Sequence, residues 1–237
     1  MATLDGAADG AKAVAWAWLG TVPYEKALCL QERIRARVAE DKAAETLLLL
    51  EHEPVITLGR HAKPANVLAS SAQLRRAGIE VVRTLRGGDV TFHGPGQLVG
   101  YPVFRLPRGI RAHVTAMASG IVAALAEMGI AAAWRESQPG IWVGGDKICA
   151  LGVHVRRRVA IHGFALNASV DLSFFRTIVP CGLAGAGVTS IAKLIGAAPK
   201  LETLAAQVAH AFERSFGLRM VRIPPASSRL QIASGDL

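Results

Sequence analysis

The sequence predicts an α+β fold, a mixed or antiparallel sheet flanked by helices, on three observations. Half of the 237 residues are apolar, enough for a substantial core. No Pro/Gly/Ser-rich linker or internal repeat divides the chain, so one domain is expected over residues 1–237, with loose tails at 1–12 and 223–237. Helical and strand-like segments are interspersed without the regular alternation of a doubly wound parallel sheet.

Residues 13–19 are an apolar run too short to span a bilayer. Asp5, Asp9 and a single Lys12 precede it, a poor signal-peptide start, so it reads as the first strand. Residues 23–40 read as a helix with Ala27, Leu30, Ile34 and Val38 on one face. Strand-type runs follow at 46–50 and 55–58, separated by a turn at His52-Glu53-Pro54. A short helix with a serine N-cap is expected at 71–77, then a strand at 79–85 entering a glycine turn. Residues 98–104 suit a further strand, and 113–128 the central helix, closed by Gly129. Residues 141–143, 147–155 and 159–167 read as strands, the last two a hairpin turning at Arg156 to Arg158. A helix over 201–216 and a strand over 218–222 end the pattern.

The formal net charge is +9, a surface that attracts acidic partners. Nucleic acid is one such partner, but the basic residues are dispersed, as in Arg33/Arg35/Arg37 and Arg156/Arg157/Arg158. No zinc knuckle, aromatic-rich RNA-binding strand or helix-turn-helix accompanies them. Cys29, Cys149 and Cys181 are too few and too far apart for a metal or disulfide framework, which suits reduced thiols in the cytosol.

Three segments are dense in residues with chemistry. Arg86-Gly87-Gly88-Asp89-Val90-Thr91-Phe92-His93-Gly94-Pro95-Gly96-Gln97 lets a ligand approach the backbone, and its amides can face an anion or a carbonyl oxygen. Arg86 adds a fixed charge and His93 a group titrating near neutrality. A tight strand-loop-strand turn explains the glycines equally well, and the spacing is neither a dinucleotide fingerprint nor a P-loop. In the second segment, residues 144–154, alternation places Lys147, Cys149, Leu151 and Val153 on one strand face. A lysine opening an apolar strand suits a base if buried; snorkelling to water is the plain alternative. In the third, residues 179–190, Cys181 sits among a proline and three glycines, ahead of a helix starting near Thr189 or Ser190. Such a cysteine offers an accessible sulfur, with amides to stabilise a thiolate or an oxyanion. Cys149 is its rival, closer to Lys147 in sequence but inside a strand with little room for a substrate carbonyl. No histidine pair has zinc-helix spacing and no G-x-S-x-G elbow occurs.

Five motifs occur in order: Leu50-Glu51-His52-Glu53-Pro54 with Thr57-Leu58-Gly59-Arg60; the Arg86 to Gln97 loop; Lys147-Ile148 with Leu151-Gly152; His162-Gly163-Phe164-Ala165-Leu166-Asn167; and Pro180-Cys181-Gly182 with Thr189-Ser190. Together they resemble the lipoyl (octanoyl) transferases of protein lipoylation, over residues 18–217. The resemblance implies a fold like the biotin and lipoate protein ligases. It implies octanoyl transfer from acyl carrier protein to a lysine of lipoyl domains, in the E2 subunits of 2-oxoacid dehydrogenases and the glycine cleavage H protein. No ATP, metal or other cofactor is implied, nor a nucleic-acid or membrane partner, and the cytoplasm is the expected location. The family's nucleophile maps onto Cys181 and its activating lysine onto Lys147. Its substrate-lining segments map onto Arg86, Gly87, Gly88, Asp89, Val90, Thr91, Phe92 and His93, onto Ala150, Leu151 and Gly152, and onto Gly163, Phe164 and Ala165. Phe92 departs from the family's more frequent tyrosine. The alternatives are an ATP-dependent lipoate or biotin ligase, a thioesterase, and a basic nucleic-acid-binding module.

Overall fold

The structure, a computed structural model, describes residues 11–179 and 187–225. The chain begins with β1 (Ala13–Thr21), α1 (Tyr24–Ala39) and β2 (Thr46–Glu51), then β3 (Val55–Leu58), α2 (Ser71–Arg76), β4 (Glu80–Arg83), β5 (Val90–His93) and β6 (Gln97–Val103). It continues through α3 (Gly109–Ala126), β7 (Ala133–Arg135), β8 (Gly140–Val143) and the long hairpin β9 (Asp146–Arg156) and β10 (Val159–Asn167). It closes with β11 (Gly187–Val188), α4 (Ile191–Ile195), α5 (Leu201–Phe216) and β12 (Arg219–Arg222). The large sheet runs β12-β1-β2-β6-β10-β9-β8-β7, with β11 alongside β9; β4-β3-β5 form a small second sheet. β1 lies parallel to β2 and β12, whereas β2, β6, β10, β9 and β8 are antiparallel in turn, the mixed sheet the sequence predicts.

Strand periodicity divides the core into two layers. In β2, Leu47 and Leu49 face the side covered by α3 and α5, and Leu48 and Leu50 face α1. Val14 and Trp16 of β1 follow the first pair, Ala15 and Ala17 the second. A sheet covered on both faces explains why Thr46–Glu51 reads as a continuous apolar run rather than an alternating one. α3 is long and apolar enough, by length and composition alone, to cross a membrane. In the fold Met117, Ala118, Ile121, Ala124 and Leu125 of that helix are buried in the layer that also contains Leu204, Val208 and Phe212 of α5.

The structure corrects several sequence expectations. β2 and β3 read as neighbours across a turn but belong to different sheets. Between them His52 is fully buried, its Nδ1 2.7 Å from Val22 O and its Nε2 2.7 Å from Tyr101 Oη. Pro54, which has no N–H to offer a ladder, follows before the chain re-enters a sheet at Val55. The glycine-rich loop conceals β5, which pairs with β3 through Val55↔His93 to Leu58↔Val90. The cap of α2 is Ser70, in a reciprocal capping box with Gln73. α3 starts a turn earlier than its apolar periodicity does, at Gly109. Two residues placed in the expected tails are tied to the sheet: Lys12 O accepts from Arg219 N at 3.0 Å, and buried Ile223 donates its N–H to Trp16 O at 2.8 Å.

Where β6 and β10 pair, Phe164 lies opposite Gly100 and its ring occupies the space a side chain there would need. A Cβ on Gly163 would collide with the carbonyl oxygen of Gly100 and come within 2.6 Å of Pro102. Gly163→Ala is therefore expected to force the two strands apart and lower stability by about 1–3 kcal/mol, the usual cost of overpacking. Urea denaturation checks this; an unchanged midpoint would contradict the close approach.

Candidate active site

β9 carries the site, and a bulge decides which side chains reach it. Opposite β8 the register runs Val143↔Asp146 and Trp142↔Lys147, then jumps to Ile141↔Cys149, leaving Ile148 as the extra residue. A bulge reverses the alternation that follows it. Lys147, Ala150 and Gly152 consequently line one cavity, while Ile148, Cys149 and Val153 pack into the α3/α5 layer. The single face expected for Lys147, Cys149, Leu151 and Val153 does not form; Leu151 touches both the cavity and that layer. Burial pushes the Cys149 thiol far above its ordinary range, against a smaller opposing effect from a backbone hydrogen bond at Ala165. Its side chain is packed in the core, 1% exposed.

The cavity has a volume of about 230 Å³. Lys147 is buried in its wall, with Nζ donating to Pro139 O at 3.1 Å and lying 4.9 Å from the centre of the Trp142 ring. The carbonyl and the ring face both attract positive charge. Gly140 makes room for the lysine: a Cβ there would lie 2.8 Å from Lys147 Cε. Val99, Leu151, Phe164 and Ala165 supply apolar wall, and Gly152 and Gly163, paired across β9 and β10, line the cavity too, each with neighbouring backbone where a side chain would stand.

The glycine loop forms the opposite wall. Arg86, Gly88, Asp89, Thr91 and His93 line the cavity. Val90 and Phe92 do not, because β5 alternates and points them into a third small core, where Phe92 stacks on Phe174 at 4.9 Å. Gly87 binds the loop to β9, its N–H donating to Val153 O at 3.0 Å. Of the remaining expected residues, Ala150, Leu151, Gly152, Gly163, Phe164 and Ala165 all line the cavity. Sequence reasoning missed Tyr24, Val99, Tyr101 and His162 as lining residues, together with Ser137, Gln138 and Pro139. His162 carries a detectable signal in its glycine-rich motif; Tyr24 opens an ordinary amphipathic helix and carries none.

Arg86 is a buried cation, and its hydrogen bonds explain how it is tolerated. Nε and Nη2 donate to Thr57 Oγ1 at 3.0 and 2.8 Å, Nη2 also to Thr57 O at 2.6 Å, and Nη1 to Gly87 O at 3.1 Å. A buried network continues from Thr57. Gln97 Nε2 donates to Phe92 O and to Asn167 Oδ1, so its Oε1 must accept from His93 Nδ1, 2.8 Å away. His93 Nε2 then accepts from the Thr57 hydroxyl at 3.2 Å. Asn167 Nδ2 donates to Thr189 O at 2.9 Å, and Thr189 N to Lys147 O at 3.0 Å. One chain of contacts thus joins the glycine loop to the lysine strand.

Cys181 lies outside the described residues. The described chain on either side of it is tied to the cavity walls. Val179 N donates to Asn66 O, and Asn66 Nδ2 to the Asp89 carboxylate. Gly187 and Val188 pair with Asp146 and Lys147, and Ser190 caps α4.

Burial dominates the titration of the site's imidazoles, holding His52 at about 4, His162 at about 3 and His93 well below its ordinary value. Nearby Arg86 pushes His93 and His162 further in the same direction. Tyr24 is raised to about 12, again by burial, with Arg86 opposing. These histidines are neutral in the fold but take up protons when unfolded below about pH 6.5, so the unfolded state gains stability as pH falls. Stability is expected to be flat above pH 7 and to drop between about 6.5 and 4, by roughly 1.4 kcal/mol per pH unit for each histidine taking part. Urea titrations across this range check the sign; stability that rises on acidification would contradict it.

A protein-family profile described as the lipoyl protein ligase A/B catalytic domain matches residues 23–213. The chain is 47% identical over 212 residues to an octanoyltransferase of Solibacter usitatus, covering 88% of this chain and 94% of the relative. It is 44% identical over 205 residues to an octanoyltransferase of Caldicellulosiruptor bescii, covering 84% and 90%. A Myxococcus xanthus octanoyltransferase is 43% identical over 224 residues, 91% of this chain, which spans only 63% of that longer relative. Among solved structures, lipoate-protein ligase A bound with ATP superposes with a TM-score of 0.77 at 16% identity, covering 92% of this chain and 90% of the other. The bi-partite lipoate protein ligase of Thermoplasma acidophilum gives 0.73 at 15%, covering 93% and 89%. The ligases share the fold, the octanoyltransferases share the sequence, and the chain belongs to the octanoyltransferase branch of the lipoyl protein ligase A/B catalytic-domain family.

Proposed function

We propose that this protein transfers an octanoyl group from octanoyl-acyl carrier protein to a lysine of lipoyl domains, through an acyl-Cys181 thioester, in the cytoplasm. The acceptors are the lipoyl domains of 2-oxoacid dehydrogenase E2 subunits and the glycine cleavage H protein. The observation carrying this reading is the cavity: an apolar trough between Phe164, Leu151 and Val99 with a lysine at its wall. An eight-carbon chain buried there gains roughly 5 kcal/mol at about 0.8 kcal/mol per methylene, before ordering costs.

The chemistry follows from the groups available. The Cys181 thiolate adds to the thioester carbonyl, the Lys147 ammonium stabilises the oxyanion, and the carrier leaves as a thiol after taking up a proton. The acceptor amine then attacks the acyl-cysteine; Lys147, neutral once it has given its proton to the departing carrier, takes one from the amine as the amide forms and the cysteine sulfur is released. Conversion of a thioester to an amide is downhill, so the cycle needs no nucleotide. Pairing of Gly187 and Val188 beside Lys147 supports a short path between Cys181 and the lysine.

With octanoyl-carrier protein, a lipoyl domain and no ATP, the wild type is expected to add one octanoyl mass to the acceptor. Lys147→Met is expected to slow that conversion by about 10²–10⁴-fold, the usual range for losing a general acid-base group. Transfer that depends on ATP, or that ignores the substitution, would contradict the mechanism; release of free octanoate without acceptor labelling would indicate a thioesterase.

A further inference from the structure

A second cavity, of about 420 Å³, lies at the far end of the β9–β10 hairpin. Lys147 and Arg157 are separated by nearly the full length of β9, roughly 30 Å at the usual strand rise. The floor of this cavity is apolar, formed by Phe104, Leu106, Phe216 and Leu218. Its rim is basic. Lys12 and Arg105 are already engaged, by Glu45 at 2.8 Å and Asp41 at 2.6 Å. Arg108, Arg157 and Arg158 also line the cavity and form no salt bridge among the described residues.

Two further features point to an anion. The 18-residue α3 begins here, its cap residue Arg108 supplies no side-chain hydrogen bond, and its first turn contains no acidic residue. The first amides of that helix and the positive end of its dipole are therefore uncompensated by its own side chains. His113, one turn in and only 6% exposed, lines the same cavity, and its Nε2 has no hydrogen-bond partner. Its ring packs edge-on to Phe104 and Phe216, with centroids 6.1 and 5.5 Å apart. A buried nitrogen left unpaired between two phenylalanines is a cost, and in the tautomer that carries the proton on Nε2 an acceptor group in the cavity would relieve it.

We propose that this cavity is a second binding site, for an anionic amphiphile: a carboxylate or phosphate-ester headgroup on a short alkyl chain. Arg108, Arg158 and the opening amides of α3 take the headgroup, and Phe104 and Phe216 take the chain. Helix N-termini flanked by arginines suit such oxyanions, and the volume lies within the range of small-molecule sites.

Titration of the ¹⁵N-labelled full chain with octanoate, octyl phosphate and inorganic phosphate tests the site. Both amphiphiles are expected to give saturable shifts at the amides of Gly109, Ile110 and His113, and the tighter of the two identifies the headgroup. The doubly substituted Arg108→Glu/Arg158→Glu chain is expected to bind at these amides at least about tenfold more weakly while octanoyl transfer is unchanged. Absence of saturable shifts in α3, undiminished binding in the double variant, or inorganic phosphate binding as tightly as the amphiphiles would each overturn the proposal.

Discussion

A guanidinium taken out of water must have its donors satisfied, and the way Arg86 meets that demand organises the whole site. Thr57 takes the Arg86 donors on its hydroxyl and carbonyl, and the same hydroxyl donates to His93. Gln97 and Asn167 relay the contact to Thr189, whose N–H returns to the backbone of Lys147. The Thr57, His93, Gln97 and Asn167 side chains each have a defined donor or acceptor role, so removal of one leaves a neighbour buried and unpaired. In a low-dielectric interior that penalty is large, which makes the network a means of fixing relative position. Strands from both sheets are locked in register around one cavity. Neutral histidines suit this arrangement, since further positive charge beside Arg86 would be repelled.

The bulge at Ile148 is the second determinant. Without it Lys147 and Cys149 would share a face. With it, Cys149 enters the α3/α5 core and the lysine faces a cavity with Ala150 and Gly152. Burial and direction thus both count against Cys149 as a nucleophile. The resulting trough needs glycine at three strand positions, Gly100, Gly152 and Gly163, where neighbouring chain occupies the space a side chain would take.

Much of the fold was legible because its signals are local. The apolar stripe of α1, the hairpin at Arg156 to Arg158, and α5 with the strand after it follow from periodicity and turn position. What stayed hidden depends on distant partners. No local feature of residues 46–58 says that β2 and β3 enter different sheets; buried His52, held by Val22 and Tyr101, settles that. A strand of four residues inside a glycine-rich loop is too short to show a period, so β5 was invisible and Val90 and Phe92 were expected at the cavity. The motifs located Arg86, Lys147 and Gly163 because glycine and buried charge are conspicuous in sequence. Tyr24, Val99 and Tyr101 reach the cavity through tertiary packing alone.

The central claim is that acyl transfer proceeds through Cys181, with Cys149 a packing residue. Intact mass after brief exposure to octanoyl-carrier protein, without acceptor, tests it most directly in the wild type, Cys181→Ser and Cys149→Ser. The account predicts a thioester-linked octanoyl adduct, cleaved by hydroxylamine, on the wild type and Cys149→Ser, and no such adduct on Cys181→Ser. A thioester adduct that persists in Cys181→Ser and disappears in Cys149→Ser would contradict it.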